Sequence, residues 1–156
     1  MRKTSVKKEK LIVGRKDKAD FPLLRIRNID VKFDTGAYTS AIHCHYIKEV
    51  VKNGKKKIVF RILDPDHSKY HNKLFSASDY RQKVIKNSFG NSETRFVINT
   101  EIVIFGNRYP IDLSLSERGN MRNPVLIGRK FIIGKFVIDV SRSNISYREK
   151  MKAKKK

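Results

Sequence analysis

The sequence is poor in cysteine and in long apolar runs, and it has no tryptophan. The single cysteine, Cys44, excludes an intramolecular disulfide, so a reducing intracellular compartment is the simpler expectation. No apolar stretch approaches the roughly 18 residues that a membrane-spanning helix needs, and the N-terminal residues lack the apolar core of a signal peptide. We therefore expect a cytoplasmic protein without a membrane partner.

Acidic residues are also scarce, with 15 Asp and Glu against 36 Lys and Arg and a formal net charge of +21. Dense like charge opposes collapse, so residues 1–10 and 147–156 are predicted to be disordered basic tails around one domain of residues 11–146. The domain itself is basic as well. This excess favours a polyanionic partner, either an acidic peptide or RNA and the ribosome reached through the tails. The alternative is a solvated lysine-rich surface that binds nothing.

Short apolar segments separated by turn residues predict a mainly β structure. Residues 57–63 alternate between apolar and polar side chains, and the polar residues 64–79 that follow are predicted to form a loop. Residues 40–51 fit either a strand or a helical turn, and residues 129–133 fit a short helix. Many short strands with little helix indicate a closed or sandwiched β fold.

Two hairpins are predicted in the second half of the chain. Residues 81–87 and 93–99 flank a glycine-containing tip, Ser88 to Ser92. Residues 101–105 and 109–115 form the second hairpin.

The tripeptide Asp34-Thr35-Gly36 follows the apolar segment Ile29 to Phe33. An apolar strand thus delivers a carboxylate into a tight turn, which is how aspartic proteases place their catalytic aspartate. Gly36 would allow the close backbone turn. The downstream segment Val125 to Arg129, which ends in Ile-Gly-Arg, adds weight to this interpretation. The alternative is that Asp34 only caps a turn.

In their order along the chain, these segments resemble the retropepsin-like aspartic proteases. Asp34-Thr35-Gly36-Ala37 resembles the catalytic turn, and the hairpin around Phe89-Gly90 resembles the flap. Leu126 to Arg129 resembles the element that precedes the short C-terminal helix. The resemblance covers roughly residues 11–146 and implies a closed β-barrel with a flap hairpin and a short C-terminal helix.

A narrower resemblance is to a bacterial and archaeal family of the same fold, labelled ATP-dependent zinc protease and associated with ATP-grasp glutamate ligases. The segments that carry it are Val13-Gly14-Arg15, Lys32 to His43, Gly90 to Ile98, Ser116 to Met121 and Val125 to Arg129. This chain departs from the family pattern after Arg15, where Lys16 replaces a common tryptophan.

The resemblance also implies roles for individual residues. It implies that the catalytic turn consists of Asp34, Thr35 and Gly36. It implies structural roles for Gly128 and Arg129. Substrate contacts are implied for Ala37, Phe89, Gly90, Glu93 and Arg95. The alternative for Glu93 and Arg95 is that they only pair across the hairpin.

Peptide hydrolysis by carboxylates needs two of them, one acting as a base on water while the other, protonated, polarises the carbonyl. The chain has one Asp-Thr-Gly and is too short for two pepsin-like lobes, so the second carboxylate must come from a second chain. We therefore predict a homodimer in which two Asp34 side chains meet. Thr35 would brace the paired turns, and the flap would close over the substrate.

The family label implies zinc and ATP. His43 and His45 would share one face of a strand with Cys44 on the other, while His67 and His71 suit a metal only on a helix. The chain has no His-Glu-x-x-His or paired-cysteine motif and no Gly-x-x-x-x-Gly-Lys-Ser/Thr loop. We predict neither a metal nor another cofactor.

Two functions remain as hypotheses. The first is an aspartic-type peptidase that acts as a homodimer on acidic proteins, including oligoglutamate tails of the kind that the associated ligases add. The second is a non-catalytic basic β-barrel module that binds RNA or the ribosome through lysine and arginine.

Overall fold

A computed structural model describes residues 9–86, 89–117 and 123–155. The described part of the chain forms eleven strands and two α-helices. In chain order these are β1 (Leu11–Val13), β2 (Lys16–Phe21), β3 (Ile26–Phe33), β4 (Ser40–Lys52), β5 (Lys55–Ile62), β6 (Phe75–Ala77), β7 (Tyr80–Lys86), β8 (Ser92–Ile104), β9 (Asn107–Ser116), β10 (Val125–Ile127), α1 (Arg129–Ile132), β11 (Phe136–Ile138) and α2 (Ile145–Lys154).

The main sheet closes on itself. Its strands follow the order β10, β3, β2, β8, β9 and β4, and β10 pairs with β4 as well as with β3. Strands β5 and β6 extend the sheet beyond β4, while β7 pairs with β8 outside the ring. Because a closed sheet leaves few unpaired edges, most backbone groups of the ring are satisfied internally. The predicted closed β-barrel is confirmed.

The interior of the ring is filled by branched aliphatic and aromatic side chains. Ile42, Ile102 and Leu113 are fully buried, and each stabilises the fold by about 1.5–3 kcal/mol relative to an exposed position. Phe131 of α1 and Phe136 of β11 lie with ring centroids 5.6 Å apart at one end of this core. The short helix therefore closes the barrel at the end where β10 finishes.

Both predicted hairpins are present, and they share a strand. Strand β8 pairs with β7 over its first half and with β9 over its second half, so it runs without a break from one hairpin into the other. The turn between β8 and β9 has positive φ at Phe105 and at Gly106, as a two-residue type I′ turn requires. Phe105 tolerates this conformation because its N–H donates to Ser146 Oγ at 2.8 Å.

Several segments differ from or refine the sequence prediction. Residues 40–51 form strand rather than a helical turn, and the predicted loop 64–79 contains the short strand β6. The predicted helix at 129–133 is α1. Residues 1–8, 118–122 and 156 lie outside the described residues, and so does Ser88 of the predicted flap tip. Within the described ranges, no helix is long and apolar enough to cross a membrane.

The C-terminal segment, predicted to be a disordered tail at residues 147–156, forms the helix α2. Its first turn is held by Asp17, which is buried (1% exposed) on β2. The Asp17 carboxylate accepts hydrogen bonds from the backbone N–H groups of Ser146 at 2.9 Å and Tyr147 at 3.1 Å. A carboxylate at this position satisfies free N–H groups and interacts favourably with the helix dipole. A tertiary contact thus stabilises a helix that local charge disfavours.

Replacing Asp17 by alanine is expected to lower the free energy of unfolding by about 1–3 kcal/mol, because the buried N–H groups at the start of α2 lose their acceptor. Urea denaturation followed by circular dichroism measures this change. Asp30→Ala is the matched control, since its ion pair with Lys18 is exposed and is expected to contribute about 0–1 kcal/mol. Equal losses in the two variants would contradict the assigned role of Asp17.

Candidate active site

The Asp34-Thr35-Gly36 turn lies where two parallel strands end together. Strand β3 ends at Phe33, and β10, which pairs with it, ends at Ile127. The backbone N–H of Asp34 donates to the carbonyl of Ile127 at 2.8 Å, and the N–H of Gly36 donates to Asp34 Oδ1 at 2.9 Å. The carboxylate is therefore oriented by its own turn and is half-buried rather than free to rotate in solvent.

The residues after β10 clamp the Asp34-Thr35-Gly36 turn from behind. The N–H of Arg129 donates to the carbonyl of Ala37 at 2.8 Å, and the N–H of Lys130 donates to the carbonyl of Tyr38 at 2.9 Å. A Cβ atom on Gly128 would lie 2.5 Å from the Tyr38 carbonyl oxygen. Only glycine allows the two backbones to approach this closely. The structure thus places Gly128 in direct support of the turn.

The side chain of Arg129 completes this clamp. Its Nη1 donates to the Thr35 carbonyl at 2.8 Å, and its guanidinium lies over the Tyr38 ring at 5.7 Å from the centroid. The partner of the arginine is thus a backbone oxygen of the Asp34-Thr35-Gly36 turn together with an aromatic ring. Thr35 itself is exposed at the tip of the turn.

A cleft of about 550 Å³ opens beside Asp34. Its lining comes from the Asp34 turn, the flap strands and the ends of the barrel strands. It consists of Asp34, Gly36, Ala37, Tyr38, Thr39, Ala41, Lys83, Val84, Ile85, Lys86, Arg95, Ser114, Leu126 and Arg129. The structure therefore gathers Asp34, Gly36, Ala37, Arg95 and Arg129 of the predicted site around one space.

The other predicted substrate contacts lie on the flap, away from this lining. Phe89 is 88% exposed near the tip, beside Gly90. Glu93 lies on β8 and accepts a hydrogen bond from Arg95 at 3.1 Å. The sequence prediction of a hairpin over the site agrees with this placement, since β7 and β8 both contribute to the cleft.

The cleft residues that sequence reasoning missed include Lys83, Lys86 and Ser114. Lys83 is paired directly with Arg95 across the flap, so the two cations share one face. The Lys83 ammonium donates to Thr39 Oγ1 at 2.7 Å and lies 4.9 Å from the Tyr38 ring centroid. The alternation of β7 could have indicated an inward lysine, but only the register between β7 and β8 shows which residue it faces.

Two buried polar atoms of the cleft lining have no hydrogen-bond partner among the described residues. They are Nε of Arg95, a side chain only 9% exposed, and Oγ of Ser114. Unsatisfied buried groups cost about 1–3 kcal/mol each and are rare in folded proteins. Their position in the wall of the cleft is consistent with a site that is completed by a ligand.

Asp112 joins the base of the flap to α1. Its carboxylate accepts hydrogen bonds from Arg81 of β7 at 2.7 Å, from Asn99 of β8 at 3.0 Å and from Lys130 of α1. Partial burial acts to raise the pKa of Asp112, but the donors Asn99, Lys130 and Arg81 outweigh burial and hold that pKa well below its usual range. This carboxylate therefore stays ionised and ties the flap to the helix behind the Asp34 turn.

The histidines and the cysteine do not fit a zinc centre. His43 Nε2 is 2.8 Å from Asp64 Oδ1, and His45 Nδ1 is 2.9 Å from the Leu63 carbonyl. Burial raises the pKa of the Cys44 thiol far above its usual range, whereas a metal ligand must be the thiolate. Within the described ranges, no three His, Cys, Asp or Glu side chains are grouped as metal ligands would be.

Comparison with known proteins agrees with this geometry. A family model described as "RimB-like: Retropepsin-like aspartic endopeptidase RimB" matches residues 12–149. The chain belongs to this family. The retropepsin-like fold predicted from the sequence is thereby confirmed. The matched residues of this RimB-like chain include the Asp34-Thr35-Gly36 turn, the flap strands and the Gly128-Arg129 clamp.

The relatives of this RimB-like chain include much longer proteins. A protein named "Probable alpha-L-glutamate ligase" from Desulfotalea psychrophila is 33% identical over 83% of the chain, and one of the same name from Shewanella pealeana is 31% identical over 86%. The chain covers only 28% and 29% of these two proteins, so it spans less than a third of the curated relatives it matches.

A solved structure shows the same architecture. The protein Lpg0085 from Legionella pneumophila, whose function is unknown, matches with a TM-score of 0.68 and 25% identity. The match covers 88% of this chain and 99% of that protein. The closed sheet described above is therefore found in an experimentally determined relative.

The Asp112 contacts predict a pH dependence of stability. Because the pKa of Asp112 is lowered in the folded state, its stabilisation is complete above the unfolded value of about 3.9 and is lost as the pH falls below it. We expect the free energy of unfolding of the Asp112→Asn variant to fall less steeply between about pH 5 and pH 3 than that of the unmodified protein. Denaturant titrations at several pH values measure the slopes.

Asp66→Asn is the matched control for this experiment, because Asp66 is exposed and forms no ion pair within the described residues. It should leave the slope unchanged. If Asp66→Asn and Asp112→Asn flatten the pH profile equally, the Asp112 contacts are not its source.

Proposed function

We propose that the protein is an aspartic peptidase that acts as a homodimer on acidic proteins, including chains that end in oligoglutamate. The observation that carries this proposal is the charge of the cleft. Asp34 is the only acidic residue of the described lining, and the other charged side chains there are the cations Lys83, Lys86, Arg95 and Arg129. A hydrolytic carboxylate surrounded by cations suits a polyanionic peptide.

The reaction requires two Asp34 carboxyls that share one proton. The ionised carboxylate takes a proton from water, and the resulting hydroxide attacks the carbonyl carbon of the peptide, while the protonated carboxyl donates a hydrogen bond to the carbonyl oxygen. The tetrahedral intermediate then breaks its C–N bond, and the amine leaves with a proton from the dyad. One chain supplies only one Asp34, so the site is complete only in a dimer.

Two features support dimerisation. The exposed tip of the catalytic turn, Thr35 and Gly36, is available to meet its counterpart from a second copy. The small parallel sheet of β1 and β11 stands apart from the main sheet and exposes Ile12 (48%) and Val137 (51%). Apolar side chains on a two-stranded sheet are a natural surface for a second copy to cover.

Arg95 is the residue best suited to bind a substrate carboxylate. It is buried, its Nε lacks a partner in the described structure, and it lines the cleft beside Ser114, whose hydroxyl also lacks one. A glutamate side chain that entered the cleft could accept hydrogen bonds from both groups. Relatives named as alpha-L-glutamate ligases agree with this substrate class, since adding glutamate produces chains of this kind.

Replacing Asp34 by asparagine is expected to reduce cleavage of a glutamate-rich peptide to the uncatalysed background, because the side chain can no longer accept a proton from water. Mass spectrometry of the peptide after incubation measures this. Asp30→Asn, on the exposed side of β3, is the matched control and should remain active. Retained activity of Asp34→Asn in a zinc-free preparation would exclude an aspartic mechanism.

The same variant tests the dimer. Mixing the unmodified protein with excess Asp34→Asn should suppress activity, because mixed dimers carry a single carboxylate at the shared site. Sedimentation should show a dimer under the assay conditions. Activity that is unaffected by mixing, in a protein that sediments as a monomer, would contradict the homodimer.

Arg95→Ala is expected to lower kcat/KM for a glutamate-rich peptide by roughly 30- to 1,000-fold, which corresponds to about 2–4 kcal/mol for a truncated buried charge pair. The loss should be much smaller for a peptide in which glutamine replaces glutamate. Arg108→Ala is the control, because Arg108 pairs with Glu101 at the exposed start of β9. Equal losses on both peptides would mean that Arg95 supports the structure of the flap and does not recognise the carboxylates of the substrate.

The alternative proposal is a non-catalytic β-barrel that binds RNA or the ribosome. The orientation of Asp34 and the cleft beside it favour the peptidase. RNA binding that is indifferent to Asp34, in a protein that cleaves no acidic peptide, would favour the alternative.

A further inference from the structure

The hairpin of β4 and β5 carries a row of cations on one face. Directly opposed residues of an antiparallel pair lie on the same face, and alternate residues of a strand share a face. The pairs Tyr46 with Arg61, Lys48 with Val59, Val50 with Lys57 and Lys52 with Lys55 are therefore all on one side. We call the five cations of this face the basic ladder, and they are Arg61, Lys48, Lys57, Lys52 and Lys55.

The basic ladder has no internal counter-charge. Lys52 and Lys55 are directly opposed, an arrangement that destabilises a hairpin through repulsion. The only acidic residue between Ser40 and Ile62 is Glu49, which lies on the other face and accepts a hydrogen bond from the Tyr80 hydroxyl at 2.6 Å. No acidic side chain pairs with a ladder residue within the described ranges. An external anion would relieve this repulsion.

One end of the basic ladder pairs a cation with an aromatic ring, and we call this pair the Arg61–Tyr46 platform. The Arg61 guanidinium lies over the Tyr46 ring at 5.3 Å from the centroid, and its buried Nε has no hydrogen-bond partner among the described residues. A stacked arginine and tyrosine beside lysines is the combination that binds unpaired nucleotides, with a base against the platform and phosphates against the lysines. The aromatic ring adds a contact that a base can use and that a carboxylate does not need.

The dimensions of the face also suit a nucleic acid strand. At about 3.3 Å per residue, the segment from Tyr46 to Lys52 extends over about 20 Å, and same-face side chains repeat about every 7 Å. Several phosphates of one strand can therefore contact the ladder together. None of the ladder residues lines the cleft at Asp34, so this surface is separate from the candidate active site.

We propose that the basic ladder binds a single-stranded segment of RNA through its phosphates, with the Arg61–Tyr46 platform contacting one base. The surface binds the RNA strand and does not cleave or modify it. It acts independently of the peptidase cleft, so this assignment does not rest on the proposed function.

The test is fluorescence anisotropy with a labelled polyuridine of about 20 nucleotides, which exceeds the usual span of one single-strand binding surface. The variant with Lys48→Ala, Lys52→Ala and Lys55→Ala removes three exposed ladder cations. The control variant with Lys152→Ala, Lys154→Ala and Lys155→Ala removes the same charge from exposed positions at the C-terminal end of the chain. Both are compared with the unmodified full-length chain.

The ladder variant is expected to bind polyuridine at least about tenfold more weakly. The negative slope of log affinity against log salt should become shallower by about 2, because three phosphate contacts are lost. The control variant should keep both values close to those of the unmodified protein. Equal weakening in both variants would overturn the proposal, because affinity would then follow net charge alone. Displacement of the RNA by oligoglutamate as effectively as by unlabelled polyuridine would also overturn it, in favour of an acidic peptide.

Two further measurements keep the result interpretable. Replacing the same three lysines by arginine preserves charge and should preserve RNA binding, so a loss there would overturn the phosphate assignment. The ladder alanine variant should cleave a glutamate-rich peptide at the unmodified rate. If the unmodified protein cleaves the peptide but does not bind polyuridine, only the RNA-binding role of the basic ladder is rejected. If it binds polyuridine but cleaves no peptide, only the proposed peptidase function is rejected.

Discussion

The candidate site depends on one backbone clamp. Strands β3 and β10 end side by side, and the segments that follow them are joined by backbone hydrogen bonds. The N–H of Asp34 donates to the Ile127 carbonyl, and the N–H of Arg129 donates to the Ala37 carbonyl. The clamp exists because Gly128 lets the two backbones approach within a distance that any side chain would block. The position of the Asp34 carboxylate is therefore set by the pairing of strands distant in sequence, and it does not depend on a flexible loop.

The charge distribution follows a consistent pattern around that clamp. Cations face the cleft from the flap and from α1, while Asp112 gathers Arg81, Asn99 and Lys130 behind it. The Asp112 carboxylate is thus kept out of the cleft, where Asp34 is the only acidic residue of the described lining. The basic ladder lies on a different hairpin, so the cleft and the ladder are two separate groups of cations with different geometry.

The sequence predicted the motifs and the hairpins, because turn residues and apolar alternation are local signals. It did not predict β2, since the residue types of Lys16, Asp17 and Lys18 suggest a solvated loop, yet Asp17 is buried as the cap of α2. For the same reason α2 was expected to be disordered. Lys83 and Ser114 were missed because their place in the cleft depends on which residues face each other across paired strands. This register cannot be seen in a window of neighbouring residues.

Strand β8 belongs at once to the flap and to the barrel, and it continues through thirteen residues without an interrupting loop. A flap that is joined to its domain by loops can rotate as a rigid lid about two hinges. Here one arm of the flap is the continuation of a wall strand that is fixed by its pairing with β9. Access to the cleft must therefore come from elastic bending and twisting of a sheet, which makes the stiffness of the barrel wall itself the quantity that governs how readily a substrate enters.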